Sequence, residues 1–224
     1  MDKEKILESF EAFLQEHGDA AFEKLNEFLD QQRSQFYSNH SYKNDKMARQ
    51  AWVSTIGGAL EDITKRLLQD FCHSHGLGIT SDRELINPKT LELEKVRRNI
   101  EVFFGEYSLL PDSDIVIYSK NNCRVIVIIS VKNSFRERYT ETPYWKLKLA
   151  SFNTTKHIKV LMVTPDKDNE ISSKSNPRKA RIVLEYDLDG VYIAKQDFDR
   201  ADKVKSIKDL IPDIERLVRE DQWK

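Results

Sequence analysis

Cysteine, glycine and proline are all scarce in this 224-residue chain, which holds two, seven and six of them. Two cysteines cannot build a disulfide framework, and Cys72 and Cys123 both lie beside apolar segments, so a reducing, cytoplasmic setting is expected. So little glycine and proline excludes a fibrous repeat and argues against disorder. No apolar run approaches the length of a membrane span. The opening residues, Met1-Asp2-Lys3-Glu4-Lys5, lack the apolar centre of a secretion signal, and a soluble chain is expected. An excess of one charge is missing too: 36 Lys and Arg face 37 Asp and Glu. The chain therefore does not advertise itself as a basic coat for nucleic acid, although a near-neutral total can hide a basic cleft. No GxxxxGK[ST] loop occurs, so nothing indicates use of ATP. Cys72, His73 and His75 have no second ligand pair at zinc-site separation.

What remains is a chain that is 39% hydrophobic and 33% charged, enough apolar material for one packed core with an appendage. Helical spacing of Ile6, Leu7, Phe10, Phe13 and Leu14, then of Phe22, Leu25, Phe28 and Leu29, predicts helix over residues 3–37 with a break near Gly18. A second helix is expected from Lys46 to His73 on a stripe running from Trp52 to Phe71, closed by Gly76 and Gly78. Residues 88–106 hint at another. From Pro111 the texture becomes strand: Ile115 to Tyr118, then Arg124 to Val131, the latter apolar on both faces as in a central, doubly covered strand. A helix over Ser134 to Leu149 and a strand over Ile158 to Val163 follow. A polar loop spans Asp166 to Arg178, a hairpin is expected of 181–186 and 191–194 around Asp189-Gly190, and a last helix starts near Ile207. The prediction is a mixed α/β domain.

Three elements converge on chemistry. Pro111-Asp112-Ser113-Asp114 precedes one strand, Ser130-Val131-Lys132 closes the next, and Glu61 lies in the long helix before both. Ser130 and Lys132 share a strand face, and Asp114 at the neighbouring strand mouth can reach that edge. Carboxylates bind Mg²⁺, which polarises a phosphate and lowers the pKa of a bound water, while a lysine beside it offsets developing charge. One carboxylate holds Mg²⁺ poorly. Glu61 is the candidate for the second, because it lies off the apolar stripe and shares its helix face with Gly57 and Gly58. Two mid-helix glycines cost roughly 1 kcal/mol each, which suggests a close approach there by the sheet or a DNA backbone.

These residues resemble the PD-(D/E)xK nuclease superfamily, and type II restriction endonucleases in particular. The likeness runs through Pro111-Asp112-Ser113-Asp114-Ile115-Val116-Ile117 and Val127-Ile128-Ile129-Ser130-Val131-Lys132, then Asn133-Ser134-Phe135-Arg136-Glu137-Arg138, and covers about residues 57–150. The resemblance implies a restriction-endonuclease-like core, a mixed sheet flanked by helices, with an N-terminal helical addition. Residues 1–45 would then form a region for dimerisation or for embracing DNA, and 46–224 the catalytic domain. It implies sequence-specific, Mg²⁺-dependent hydrolysis of double-stranded DNA by a homodimer, with the Val131 carbonyl as a metal ligand beside Asp114 and Glu61. The family's second acid is Ser130 here, an SxK variant, so a helical glutamate must replace it: Glu61, or Glu141 or Glu137 as alternatives. Asp112 is the literal "PD" aspartate, but Asp114 abuts the strand and is preferred.

Each residue also has a plainer reading. Asp114 can cap a turn, Lys132 can be a strand-end lysine with its head in water, and Glu61 can pair with Lys65. Glu137 is taken as structural, because Ser134-Phe135-Arg136-Glu137 has the form of a capping box. Arg136, Arg138, Arg97, Arg98, Lys174 and Lys179 are candidates for DNA contact, the last two in the basic loop 172–179. A structure-specific repair nuclease, a nicking subunit and a non-catalytic DNA-binding module fit the same motifs. Only Ser130 favours the last.

Overall fold

Seven residues that are apolar on both faces but for Ser130, Val125–Val131, can be buried only in the middle of a sheet covered on two sides, and there they lie. The computed structural model describes residues 2–39, 44–135 and 138–222. Arg136, Glu137 and the side chain of Arg138 fall outside what it describes, so the sequence readings on them stand as expectations.

The chain opens with α1 (Lys3–His17), a 3-10 segment (Gly18–Lys24) and α2 (Leu25–Asn39), then the 30-residue α3 (Asp45–Ser74). Strand β1 (Leu77–Thr80), two short helices α4 (Asp82–Ile86) and α5 (Leu91–Arg98) and a hairpin of β2 (Val102–Phe104) and β3 (Tyr107–Leu109) follow. The second half holds β4 (Ile115–Ser119), β5 (Val125–Val131), α6 (Glu141–Ala150), β6 (Lys159–Thr164), α7 (Lys179–Asp187), β7 (Gly190–Ile193), β8 (Val204–Ser206) and α8 (Leu210–Gln222).

One six-stranded sheet runs in the order β1-β4-β5-β6-β7-β8. Its first three strands are antiparallel and β5 to β8 are parallel, with Ile115 opposite Ile129 and Val131 opposite Val163. The start of β4 and the ends of β5, β6 and β7 therefore meet at one edge. Alternation along the strands sends Ile115, Ile117, Val127, Ile129, Leu161 and Val163 into a core under α1, α2, α3 and α8. Val116, Ile128, Val160 and Met162 face a second core on the other side. Phe10, Phe22 and Phe28 of the N-terminal helices stack edge to face inside the first core, with ring centroids 5.3–5.4 Å apart. Both cysteines are buried and free. Among the described residues no helix is long and apolar enough to cross a membrane.

Several local expectations are corrected. Residues 181–186 are not a hairpin strand but lie in α7, the crossover helix between the parallel strands β6 and β7. Ile182 and Val183 gave the segment a strand-like composition, but the buried positions Ala180, Arg181 and Leu184 repeat at helical spacing. Residues 88–106 form a helix only as far as Arg98, and the rest is the β2–β3 hairpin. The helix expected from Ser134 begins at Glu141. Strand β1 was hidden behind Gly76, which ends α3 in a left-handed conformation at φ 67°.

Candidate active site

The turn before β4 decides which aspartate turns inward. Ser113 is buried, and its hydroxyl donates to the Pro111 carbonyl at 3.2 Å. Asp112 is left exposed, while Asp114 faces the neighbouring strand. There the Val131 amide donates to Asp114 Oδ2 at 2.6 Å, and Lys132 Nζ lies 3.7 Å from the same oxygen. Both side chains are mostly withdrawn from water, at 13% and 14% exposure. The Lys132 amide donates to the Val163 carbonyl at 3.0 Å, which ties the residue to β6. Among the described residues nothing donates to Asp114 Oδ1, and Lys132 Nζ makes no hydrogen bond. The Ser130 side chain is buried beside them.

Glu61 reaches this edge from α3. Burial raises its carboxyl above the ordinary carboxylate range, and the charge of Asp114 adds to the effect, which Arg83 and Lys65 partly offset. Its ion partner is Arg83, whose guanidinium lies 3.2 Å from Glu61 Oε1, rather than Lys65. Glu141 stands at the start of α6, and no hydrogen bond or ion pair links it to Asp114 or Lys132. At Gly58 the close approach comes from another part of the chain. A Cβ on Gly58 would meet Lys3 Cδ at 3.3 Å, so what crosses α3 there is the α1 side chain that pairs with Asp62. At Gly57 the space is open.

Asp82 was missed by sequence reasoning. It opens α4, its amide donates to the Ser113 carbonyl at 3.1 Å, and burial with the charges of Asp112 and Asp114 raises its carboxyl. The Ser81-to-Glu84 capping box could have placed a helix start there, but not its neighbours.

Among the described residues, no hydrogen bond or ion pair links Arg97, Arg98, Lys174 or Lys179 to Asp114, Lys132 or Glu61. Arg97 bonds Glu101 at 2.9 Å and the Ile86 carbonyl at 3.1 Å, while Arg98 is exposed on the same helix. Lys174 and Lys179 are exposed, and the Lys174 amide donates to Asp199 at 2.7 Å.

Whether the edge suits a divalent cation depends on its donors. Among the described residues no three His, Cys, Asp or Glu side chains group as metal ligands. Two carboxylates do converge, one with an oxygen that accepts no hydrogen bond and one whose pKa is raised, first by burial and then by the other's charge. That is a donor set a hard cation would relieve, with a main-chain carbonyl to add, and the residues fit Mg²⁺ chemistry.

Comparison with known proteins gives a consistent result. The profile of the family described as BsaWI restriction endonuclease type 2 matches residues 92–214. MjaVIP of Methanocaldococcus jannaschii, named as a candidate type II restriction enzyme, is 43% identical over 92% of this chain and 96% of its own. HpyAORF263P of Helicobacter pylori, another candidate type II restriction enzyme by name, is 44% identical over 77% of this chain and 95% of its own. The restriction endonuclease PspGI, solved with substrate DNA, superposes with a TM-score of 0.58 at 18% identity, covering 98% of this chain and 94% of that one.

Proposed function

The chain belongs to the BsaWI family of type 2 restriction endonucleases and is a site-specific deoxyribonuclease, and on that premise we propose that Asp114, Lys132 and Glu61 form its cutting centre, served by Mg²⁺. The observation that carries this is the Asp114–Lys132 pair at 3.7 Å on a buried sheet edge, with unfilled hydrogen-bonding capacity on both members.

Asp114, Glu61 and the Val131 carbonyl would hold the ion. Bound there, it would supply positive charge at the scissile phosphate and a water of lowered pKa. The protein's own groups account for the rest. The Val131 amide fixes the Asp114 carboxylate in one orientation. The Lys132 ammonium, mostly withdrawn from water, offsets negative charge as it grows on the phosphoryl oxygens, where a low local dielectric strengthens the interaction. Hydrolysis forms one bond from water oxygen to phosphorus, breaks one P–O ester bond and places a proton on the departing oxygen.

Residues 46–224 are the proposed catalytic domain. Residues 1–45 are proposed to help embrace DNA or join two copies. A two-fold homodimer would present one centre to each strand of a symmetric site. The test is incubation with phage DNA and Mg²⁺, followed by sequencing of the fragment ends. Discrete fragments with a common end sequence support the reading, and chelation of the metal should stop them. A smear, or fragments unaffected by chelation, would overturn it.

A further inference from the structure

A groove of about 330 Å³ opens between α2, the first turns of α3 and the loops that leave β5 and β6. It adjoins the Asp114–Lys132 edge, because Asn133 and Ser134, the two residues after Lys132, line it. Two residues of chain span at most about 7 Å, roughly two base-pair steps along the DNA axis.

The charges in the groove divide into two kinds. Its acids are engaged within the chain: Asp30 with Lys167, Glu170 with Arg178, and Asp168 with the Phe135 amide at 3.0 Å. Its two arginines, Arg33 and Arg49, have no carboxylate partner among the described residues. Arg33 instead lies 5.8 Å from the centre of the Tyr37 ring, which supports its plane. Arg49 stands near the start of the long α3. An arginine without a carboxylate keeps a fork of donors that matches phosphate oxygens.

We propose that this groove is a phosphodiester-binding site, in which Arg33 and Arg49 grip the DNA backbone beside the phosphate that Lys132 faces. Neither was among the cations that the sequence suggested for DNA contact. The pair supplies affinity and register without reading bases. The inference rests on the placement of the cutting centre at the Asp114–Lys132 edge.

The test is duplex binding by the full chain, with Ca²⁺ in place of Mg²⁺, across a KCl series. One duplex carries the cleavage site found by fragment sequencing and the other a scrambled sequence. Each phosphate contact contributes about 0.9 to the slope of log K against log salt, so Arg33→Gln with Arg49→Gln should reduce that slope by about 1.8. Both duplexes should weaken by the same factor. Arg33→Lys with Arg49→Lys should keep the slope, a rescue that a merely structural role would not require. Arg219→Gln, at the opposite end of the sheet, should leave it unchanged. A glutamine double variant with the wild-type slope, or one weakened only on the cleavage-site duplex, overturns the proposal. Cleavage that survives Lys132→Ala in a chain with Arg33 and Arg49 intact overturns the placement of the cutting centre instead.

Discussion

Two carboxylate–lysine pairs stand at the same edge of the sheet, Asp114 with Lys132 around β4 and β5, and Asp166 with Lys195 after β6 and β7. The second is saturated. Asp166 is fully buried and accepts from the amides of Glu170 and Ile171, the Ser172 hydroxyl and Lys195, whose own three donors go to two Asp166 oxygens and Asn169. The first is open: a single amide on Asp114, a lysine 3.7 Å away, and a second carboxylate pressing on it from α3. A closed network holds a loop, whereas an open one has capacity left for substrate. The difference lies in the partners and not in the residue types.

The sharpest way to break this contrast is to truncate each pair. Asp114→Ala or Lys132→Ala should reduce cleavage by about 10³-fold or more, leaving duplex binding largely intact. Full activity in either variant, read from plasmid digestion, would contradict the assignment. Removing one member of the saturated pair should act on stability instead. Asp166→Ala leaves a buried ammonium unpaired and should cost about 3–5 kcal/mol in denaturant unfolding. If it spares stability but stops cutting, the two pairs have been assigned the wrong way round.

Glu61 sharpens the comparison further. Glu61→Ala should remove most of the cleavage rate, on the order of 10²-fold, and raise the Mg²⁺ concentration needed. A larger loss in Glu141→Ala would move the missing acid to α6. The smallest effect is on the fold itself. The native state holds the Glu61 proton more tightly than the unfolded chain, whose value is 4.5. Stability therefore falls as pH rises from that value through the raised native one. Glu61→Gln should then unfold later at neutral pH without metal, and the gain should vanish in acid. An equal gain at both pH values would mean that its charge is not under strain.

The long helix α3, the doubly apolar β5 and the Asp114–Lys132 motif were legible because each rests on local pattern: helical spacing, an unbroken apolar run, and residue types beside a strand end. The crossover helix α7 was not, since Ile182 and Val183 suit a strand locally and only the parallel pairing of β6 with β7 demands a helix between them. The cause of Gly58 was equally hidden, because Lys3 lies more than fifty residues away. Family likeness and the residue types of the SxK edge thus follow from the sequence by itself. Which aspartate turns inward, which acid reaches it, and which of two acid–lysine pairs stays open were decided by tertiary structure. These depend on long-range burial and hydrogen bonding, which bring Val131 to Asp114 and leave Arg33 and Arg49 facing a groove without a partner.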